Sequence, residues 1–331
     1  MGRLHRPDAR TGLAQRAATR ERPDLSQPVD FAVRGGKRTM TTILILGGYG
    51  QTGQPLARHL LGQSDAGLVI AGRNLDKAAA FTAQLNAAFP GGRASALRVD
   101  AAAPDSLKAA LDGIDLLVVA APTTKHAASV ARAALEAGVD YLDVQLDAGK
   151  LKILQSLAPE IERAGRCFIT EAGFHPGLPA AMVRWAAARL ERVDTALTAG
   201  FLNMGRSMPY TEAVDELMQV FQDYQAQVFK DGAWTKAGSY DVRKVDFGGE
   251  IGRRDCFSMF FEELRDLPRQ IPTLREVGFY MAGSNWLTDW VISPIVMLGL
   301  KLAPVRGVRP MGKLMWWGMQ NLSRPPFTVL L

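Results

Sequence analysis

The chain has 331 residues, 47% of them hydrophobic and 22% charged, which is enough apolar material for large cores and enough length for two domains. The net charge of +6 does not describe a nucleic-acid-binding body: residues 1–39 hold nine Lys/Arg against four Asp/Glu, so the remaining 292 residues carry only +1. Two cysteines, Cys167 and Cys256, provide neither a disulfide framework nor a zinc cluster and point to a reducing cytoplasm.

Residues 1–39 have few bulky apolar side chains and no sustained helical or strand period, so they read as a disordered basic tail. They lack the apolar run of a secretory signal. Met40 stands just ahead of the first strand, which leaves two readings open: an upstream-start artefact or a basic arm.

The first strand is the apolar run Ile43-Leu44-Ile45-Leu46. It leads into Gly48-Tyr49-Gly50-Gln51-Thr52-Gly53 and a helical pattern through Leu56, Leu60 and Leu61. This is G-x-G-x-x-G between a strand and a helix, the setting in which the motif binds dinucleotides. The first glycine allows the tight turn and the second admits a pyrophosphate. The third brings the helix close to the strand, and its free N–H groups face the phosphates. Pro55 falls in the first helical turn, where a missing N–H costs nothing.

A second run, Leu68-Val69-Ile70-Ala71, ends in Gly72-Arg73-Asn74. Arg73 stands 20 residues past Gly53, where an NAD-binder carries an acid for the ribose 2′-hydroxyl. A guanidinium pairs instead with a 2′-phosphate, which favours NADP.

A helix from Leu75 to Phe89 stops at Pro90-Gly91-Gly92. The third strand, Ala96–Val99, ends at Asp100, on the adenine side of a dinucleotide site. The fourth, Leu116–Ala120, closes at Ala121-Pro122, on the nicotinamide side. Helix 124–137 leads to a fifth strand, Tyr141–Val144, and helix 149–163 to a sixth, Cys167–Thr170. In that sixth run Cys167 reads as a small buried hydrophobe. Asp143, at the end of the fifth strand, has two readings: it orients a substrate amine or His175, or it is a buried carboxylate satisfied by backbone N–H groups. His175 follows the sixth strand, where an imidazole can exchange a proton during hydride transfer; otherwise it caps the helix begun by Pro176. His126 is a weaker candidate of the same kind. Alternating strands and helices make this an α/β protein, a Rossmann doubly wound parallel sheet over about residues 40–175.

Beyond Gly177 the alternation is lost, and residues 176–331 read as a second, mixed α+β domain for substrate or oligomerisation. Its expected pieces are a helix to about Leu190, a strand Thr195–Leu202, a helix Thr211–Tyr224 and a hairpin turning at Asp231-Gly232. Residues 284–321 hold Trp286, Trp290, Trp316 and Trp317, and Val291–Leu300 lacks any charged residue. Ten residues are too few to span a bilayer. Burial in the core or in a homodimer face is the first expectation there, and peripheral membrane contact the second. The apolar ending Phe327-Thr328-Val329-Leu330-Leu331 resembles the start of a strand, which suggests a truncated C-terminus.

Three segments together resemble the saccharopine dehydrogenase-like (saccharopine reductase) family of NADP-binding oxidoreductases: Ile43–Gly53 with Gly72-Arg73, Ala127–Val144, and Glu171–Pro179. The resemblance covers residues 41–180 well and the rest loosely. It implies a Rossmann domain followed by a mixed α/β domain, with NADP as cofactor. It also implies a small-molecule substrate and hydride chemistry at a carbonyl, an imine or its reduced amine; some relatives resemble enoyl reductases or membrane-associated proteins. Saccharopine reductases share a G-x-D-P-G-like segment where this chain has Gly173-Phe174-His175-Pro176-Gly177, so His175 replaces an aspartate. A short-chain dehydrogenase reading would need Tyr-x-x-x-Lys near the nicotinamide. Tyr240 and Lys244 fit the string, but they stand in strand-like surroundings about 190 residues past the glycines. A non-catalytic NADP-binding sensor or scaffold is the alternative from another functional class. The sequence presents no metal-ligand spacing.

Overall fold

The computed structural model describes residues 40–203, 205, 209–210, 214–215, 218, 225–238 and 241–331. The basic tail, Tyr240 and most of the expected helix Thr211–Tyr224 lie outside these residues. Met40–Leu331 form one compact unit.

Six parallel strands build the first sheet: β1 (Thr42–Leu46), β2 (Gly67–Gly72), β3 (Ala94–Arg98), β4 (Leu116–Val119), β5 (Asp140–Asp143) and β6 (Phe168–Ile169). Their spatial order is β3-β2-β1-β4-β5-β6, so the order reverses beside β1 and opens a crevice over the strand ends there. Five helices cross between them: α1 (Gly53–Gln63), α2 (Leu75–Ala88), α3 (Pro104–Ala110), α4 (Ala127–Glu136) and α5 (Ala148–Arg163). Side-chain alternation along β1 shows why both faces are covered. Ile43 and Ile45 pack with Ala57, Leu61, Phe81 and Leu85 under α1 and α2. Leu44 and Leu46 pack with Leu107, Val130, Leu154 and Leu157 under α3, α4 and α5. Fully buried strands of this kind read as continuous apolar runs, which is how β1, β2 and β4 appear in the sequence.

The second sheet is mixed and begins after α6 (Leu178–Ala187). β7 (Thr195–Leu202) pairs in parallel with the distant β12 (Glu276–Ala282). β8 (Gln227–Lys230) and β9 (Ala233–Lys236) form the expected hairpin, with Asp231 and Gly232 both at positive φ (52° and 87°). β10 (Val242–Asp246) and β11 (Arg253–Met259) continue the sheet beyond β12, and β13 (Val329–Leu330) lies against β7. Lys244 falls in β10, so the Tyr-x-x-x-Lys string is not on a helix. One face packs α6 and the short α7 (Leu267–Gln270) over Phe261, Leu264, Val277 and Phe279.

One expectation about burial is overturned outright, and a second only in its core alternative. Cys167 is exposed, because β6 is a two-residue edge strand with an open outer side. The tryptophan-rich segment forms a continuous helical stretch, Trp286–Leu302 (ending as α8, Ser293–Leu302), followed by α9 (Val308–Asn321). Thr288, Ile292, Val296 and Leu300, spaced four apart, take the inward face, and Trp286 is left 70% exposed rather than in the core.

Candidate functional site

The β1–α1 loop shows why its glycines are glycines. Gly47 carries the turn's positive φ (84°), and its N–H and that of Gly48 both donate to the Ala71 carbonyl, at 2.7 and 3.2 Å. A Cβ on Gly47 would lie 2.7 Å from the Ala121 Cβ, and one on Gly53 would lie 2.3 Å from the Gly47 carbonyl oxygen. The tight-turn role expected of Gly48 therefore belongs to Gly47, while a Cβ on Gly48 would strike the Ile45 carbonyl at 2.9 Å. Gly50 is different. A Cβ there would meet one protein atom, the Gly47 oxygen at 3.1 Å, so its outer side is open to an approaching ligand. Thr52, at the head of α1, makes no side-chain cap, and the first turn holds no acid. The N–H groups of Gln51, Thr52 and Gly53 have no acceptor among the described residues. An uncapped helix N-terminus behind an open glycine is the cradle a pyrophosphate requires.

A cleft of about 370 Å³ opens over the ends of β1–β4, lined in part by Tyr49, Gly50, Arg73, Asp100, Pro122 and His126. Ala121 and Gly47 also line it, whereas the Gln51 and Thr52 side chains stand exposed at the loop tip. Tyr49 lies so close over Gly72 that a Cβ on the latter would come within 2.6 Å of the ring. The Tyr49 hydroxyl accepts from the Asn74 N–H at 3.0 Å, and Asn74 in turn caps α2. Tyr49 thus buttresses the turn that presents Arg73. The Arg73 guanidinium is exposed and forms no ion pair among the described residues. Asp100 keeps its turn in place by accepting from the Ala102 N–H at 3.0 Å, while its backbone N–H donates to the Ser106 hydroxyl.

Asp143 does not line this cleft. Strand alternation puts it on the face of Tyr141, toward the helices, and it is fully buried. Its carboxylate accepts from the Tyr141 hydroxyl (2.8 Å), the Gln145 N–H (3.1 Å), the Thr170 hydroxyl (2.9 Å) and the Glu171 N–H (3.2 Å), and it is ion-paired with the equally buried Lys150. The buried hydroxyl of Tyr141, beside that carboxylate, is held protonated well above the usual tyrosine range, by burial first and the Asp143 charge second. The Lys150 ammonium also donates to the Gln145 carbonyl, and the Gln145 amide donates to the Ala121 carbonyl at 2.6 Å. A continuous chain of polar contacts thus runs from Asp143 to the floor of the cleft. Beside it, burial pushes the Glu171 carboxyl up to about 7, against the pull of Lys150.

His175 belongs to a closed loop in which Gly173 donates to the Pro176 carbonyl and Gly177 takes φ 127°. Its imidazole stacks on Phe261 (5.8 Å between centroids, 5° between planes), with Phe174 and Phe279 at 5.0 and 5.9 Å. Its Nε2 is buried without a hydrogen-bond partner among the described residues, and burial lowers its pKa by disfavouring the charged ring. His175 and Asp143 are not hydrogen-bonded to each other. Gly47, Gln145 and Lys150 are not among the residues the sequence singles out, and Glu171 is there only as the start of the Glu171–Pro179 segment. Gly47 alone left a local signal, a glycine pair directly after a strand.

Residues 43–167 match the model of the saccharopine dehydrogenase NADP-binding domain. The chain is also 26% identical, over 166 residues, to a carboxyaminopropylagmatine dehydrogenase from Synechocystis sp., covering 46% of this chain and 40% of the relative. Among solved structures, apo saccharopine dehydrogenase (L-Glu forming) from Saccharomyces cerevisiae superposes with a TM-score of 0.57 at 18% identity, over 73% of this chain and 54% of that one. That likeness establishes the fold: a Rossmann-like parallel sheet followed by a second sheet. The chain spans about half or less of the length of either relative. No described helix is long and apolar enough to cross a membrane.

Proposed function

We propose that this chain is an NADP-dependent oxidoreductase that moves hydride between NADPH and a carbonyl, imine or secondary amine, or enoyl substrate. The observation that carries the cofactor choice is Arg73: an unpaired guanidinium on the cleft wall, at the strand end where NAD-binders place an acid. The residues present fit the dinucleotide. Gly50 and the N–H groups of Gln51, Thr52 and Gly53 hold the pyrophosphate, Arg73 the 2′-phosphate and Asp100 the adenine side, while Ala121 and Pro122 flank the nicotinamide. When bound, NADPH supplies the hydride. Asp143 serves as a positioning residue, fixing the Ala121 carbonyl through Lys150 and Gln145. Substrate contact falls to His175, whose unpartnered Nε2 is a buried polar group awaiting a partner.

Titrating the protein with NADPH and NADH tests the cofactor assignment. Arg73→Asp is expected to weaken NADPH by roughly 1.5–3 kcal/mol, the range for a charge-assisted hydrogen bond, and to leave NADH within a few-fold. Equal losses for both cofactors, or tighter NADH binding by the wild type, defeat it. One observation favours a second reading, an NADP-binding scaffold without turnover: neither Asp143 nor His175 is among the residues lining the cleft. Oxidation of bound NADPH by any member of a carbonyl, imine and enoyl panel excludes that reading.

A further inference from the structure

The stretch Trp286–Leu302 is apolar on two opposite faces. The inward face is accounted for by Thr288, Ile292, Val296 and Leu300, all buried. The outward face presents Trp286, Ile295 and Leu298 at 70, 51 and 57% exposure, Leu302 and Val305 extend it at 76 and 87%, and Trp290, 38% exposed, sets the edge of the strip with its ring against Phe257. These positions recur at helical spacing, so they form one strip rather than scattered side chains. The sole ionisable residue before Lys301 is Asp289, and its carboxylate is turned back to accept from the Ser284 N–H at 3.0 Å. A contiguous apolar strip of this kind marks a surface that something covers.

Charge identifies the occupant. Lys301, Arg306, Arg309 and Lys313 follow directly, all are exposed, and none forms an ion pair among the described residues. From Trp290 to Leu331 the sequence contains five Lys/Arg and no Asp or Glu. A two-fold homodimer would turn this patch against its own copy and bring unpaired cations together. An anionic surface is complementary instead. Tryptophans suit the headgroup level, and lysines and arginines keep their charges in water while their stems cover apolar surface. We propose that Trp286–Leu302, with the basic residues after it, is a docking face for an anionic phospholipid bilayer, on which the helix lies in the interfacial plane. The 17 residues span roughly 25 Å at 1.5 Å each, short of a crossing. The inference is independent of the cofactor assignment.

Co-sedimentation of the full chain with vesicles tests it, using phosphatidylcholine alone and phosphatidylcholine with about 30% phosphatidylserine, the anionic lipid that attracts basic segments. The expected result is pelleting with the anionic vesicles at low salt and a blue shift of tryptophan emission. Binding should fall at least tenfold on phosphatidylcholine alone and in about 0.5 M salt, where charges are screened. Lys301→Glu with Arg306→Glu, and separately Trp286→Ser with Leu298→Ser, should each cut binding tenfold or more. Both pairs lie on exposed positions, and unchanged circular dichroism and melting temperature confirm that they fold. Wild-type protein that stays in the supernatant with anionic vesicles at low salt overturns the proposal. So does a dimer in sedimentation velocity that Trp286→Ser with Leu298→Ser dissociates, because the strip is then covered by a second copy.

Discussion

Glu171 stands in an environment unusual for a carboxylate. It is nearly buried, holds a positive φ of 58°, and stands beside the Lys150–Asp143 pair with a carboxyl raised to about 7, chiefly by burial. A carboxyl raised in the folded state binds its proton more tightly folded than unfolded. The associated stability is therefore complete below about 4.5 and is lost as pH rises through about 7. Chemical denaturation at pH 5 and pH 8 should show the wild type losing roughly 2–3 kcal/mol from this group across that interval. Glu171→Gln should lack that component, and parallel pH profiles for the two proteins would refute the assignment. His175 makes the second residue-scale prediction. His175→Phe preserves the aromatic stack on Phe261 and Phe279 while removing Nε2. If Nε2 meets the substrate, turnover should fall about 100-fold or more with NADPH affinity unchanged. Turnover within a few-fold of wild type would make His175 a packing residue.

The elements separate what sequence patterning reveals from what it conceals. β1, β2 and β4 were legible because they are covered on both faces and appear as unbroken apolar runs. The β8–β9 hairpin was legible because Asp231-Gly232 is a purely local turn signal. β10, β11 and β12 were not, because the second sheet is organised by non-local pairing: β12 finds β7 in parallel across most of that region, and no local period encodes the partner. The same limit applies at the candidate site. Asp143 could be placed at a strand end, but whether it faced the cleft or the helices depended on the alternation inherited from Tyr141, once β5 settled between β4 and β6. Lys150 is a clearer instance. A lysine early in a helix reads as solvated, and here Asp147, four residues beyond the end of β5, starts that helix by accepting from the Lys150 N–H, while the lysine side chain turns inward to Asp143. The glycine loop escaped the limit at Gly48 and Gly53, where a Cβ would strike the nearby Ile45 and Gly47 carbonyls, but not at Gly47, which is also constrained by the distant Ala121.

At the scale of the whole molecule, both sheets belong to one compact unit, Met40–Leu331, and contacts such as the His175 ring against Phe261 and Phe279 tie the loop after β6 to the second sheet. A ligand held entirely by the first sheet should therefore stabilise the second as well. NADPH at about 100 times its dissociation constant adds about 2.7 kcal/mol by mass action, provided the unfolded chain does not bind it. For a cooperative unit of this size that corresponds to a rise in melting temperature of roughly 4–5 °C. Differential scanning calorimetry should then show one transition that moves as a whole when NADPH is added, with tryptophan emission following the same shift. All six tryptophans, from Trp185 to Trp317, lie outside residues 43–167, so their emission reports on the region that does not hold the cofactor. Two transitions, with NADPH moving one and the tryptophan signal following the other, would show that the sheets unfold independently and that the dinucleotide site is energetically isolated from the rest of the chain.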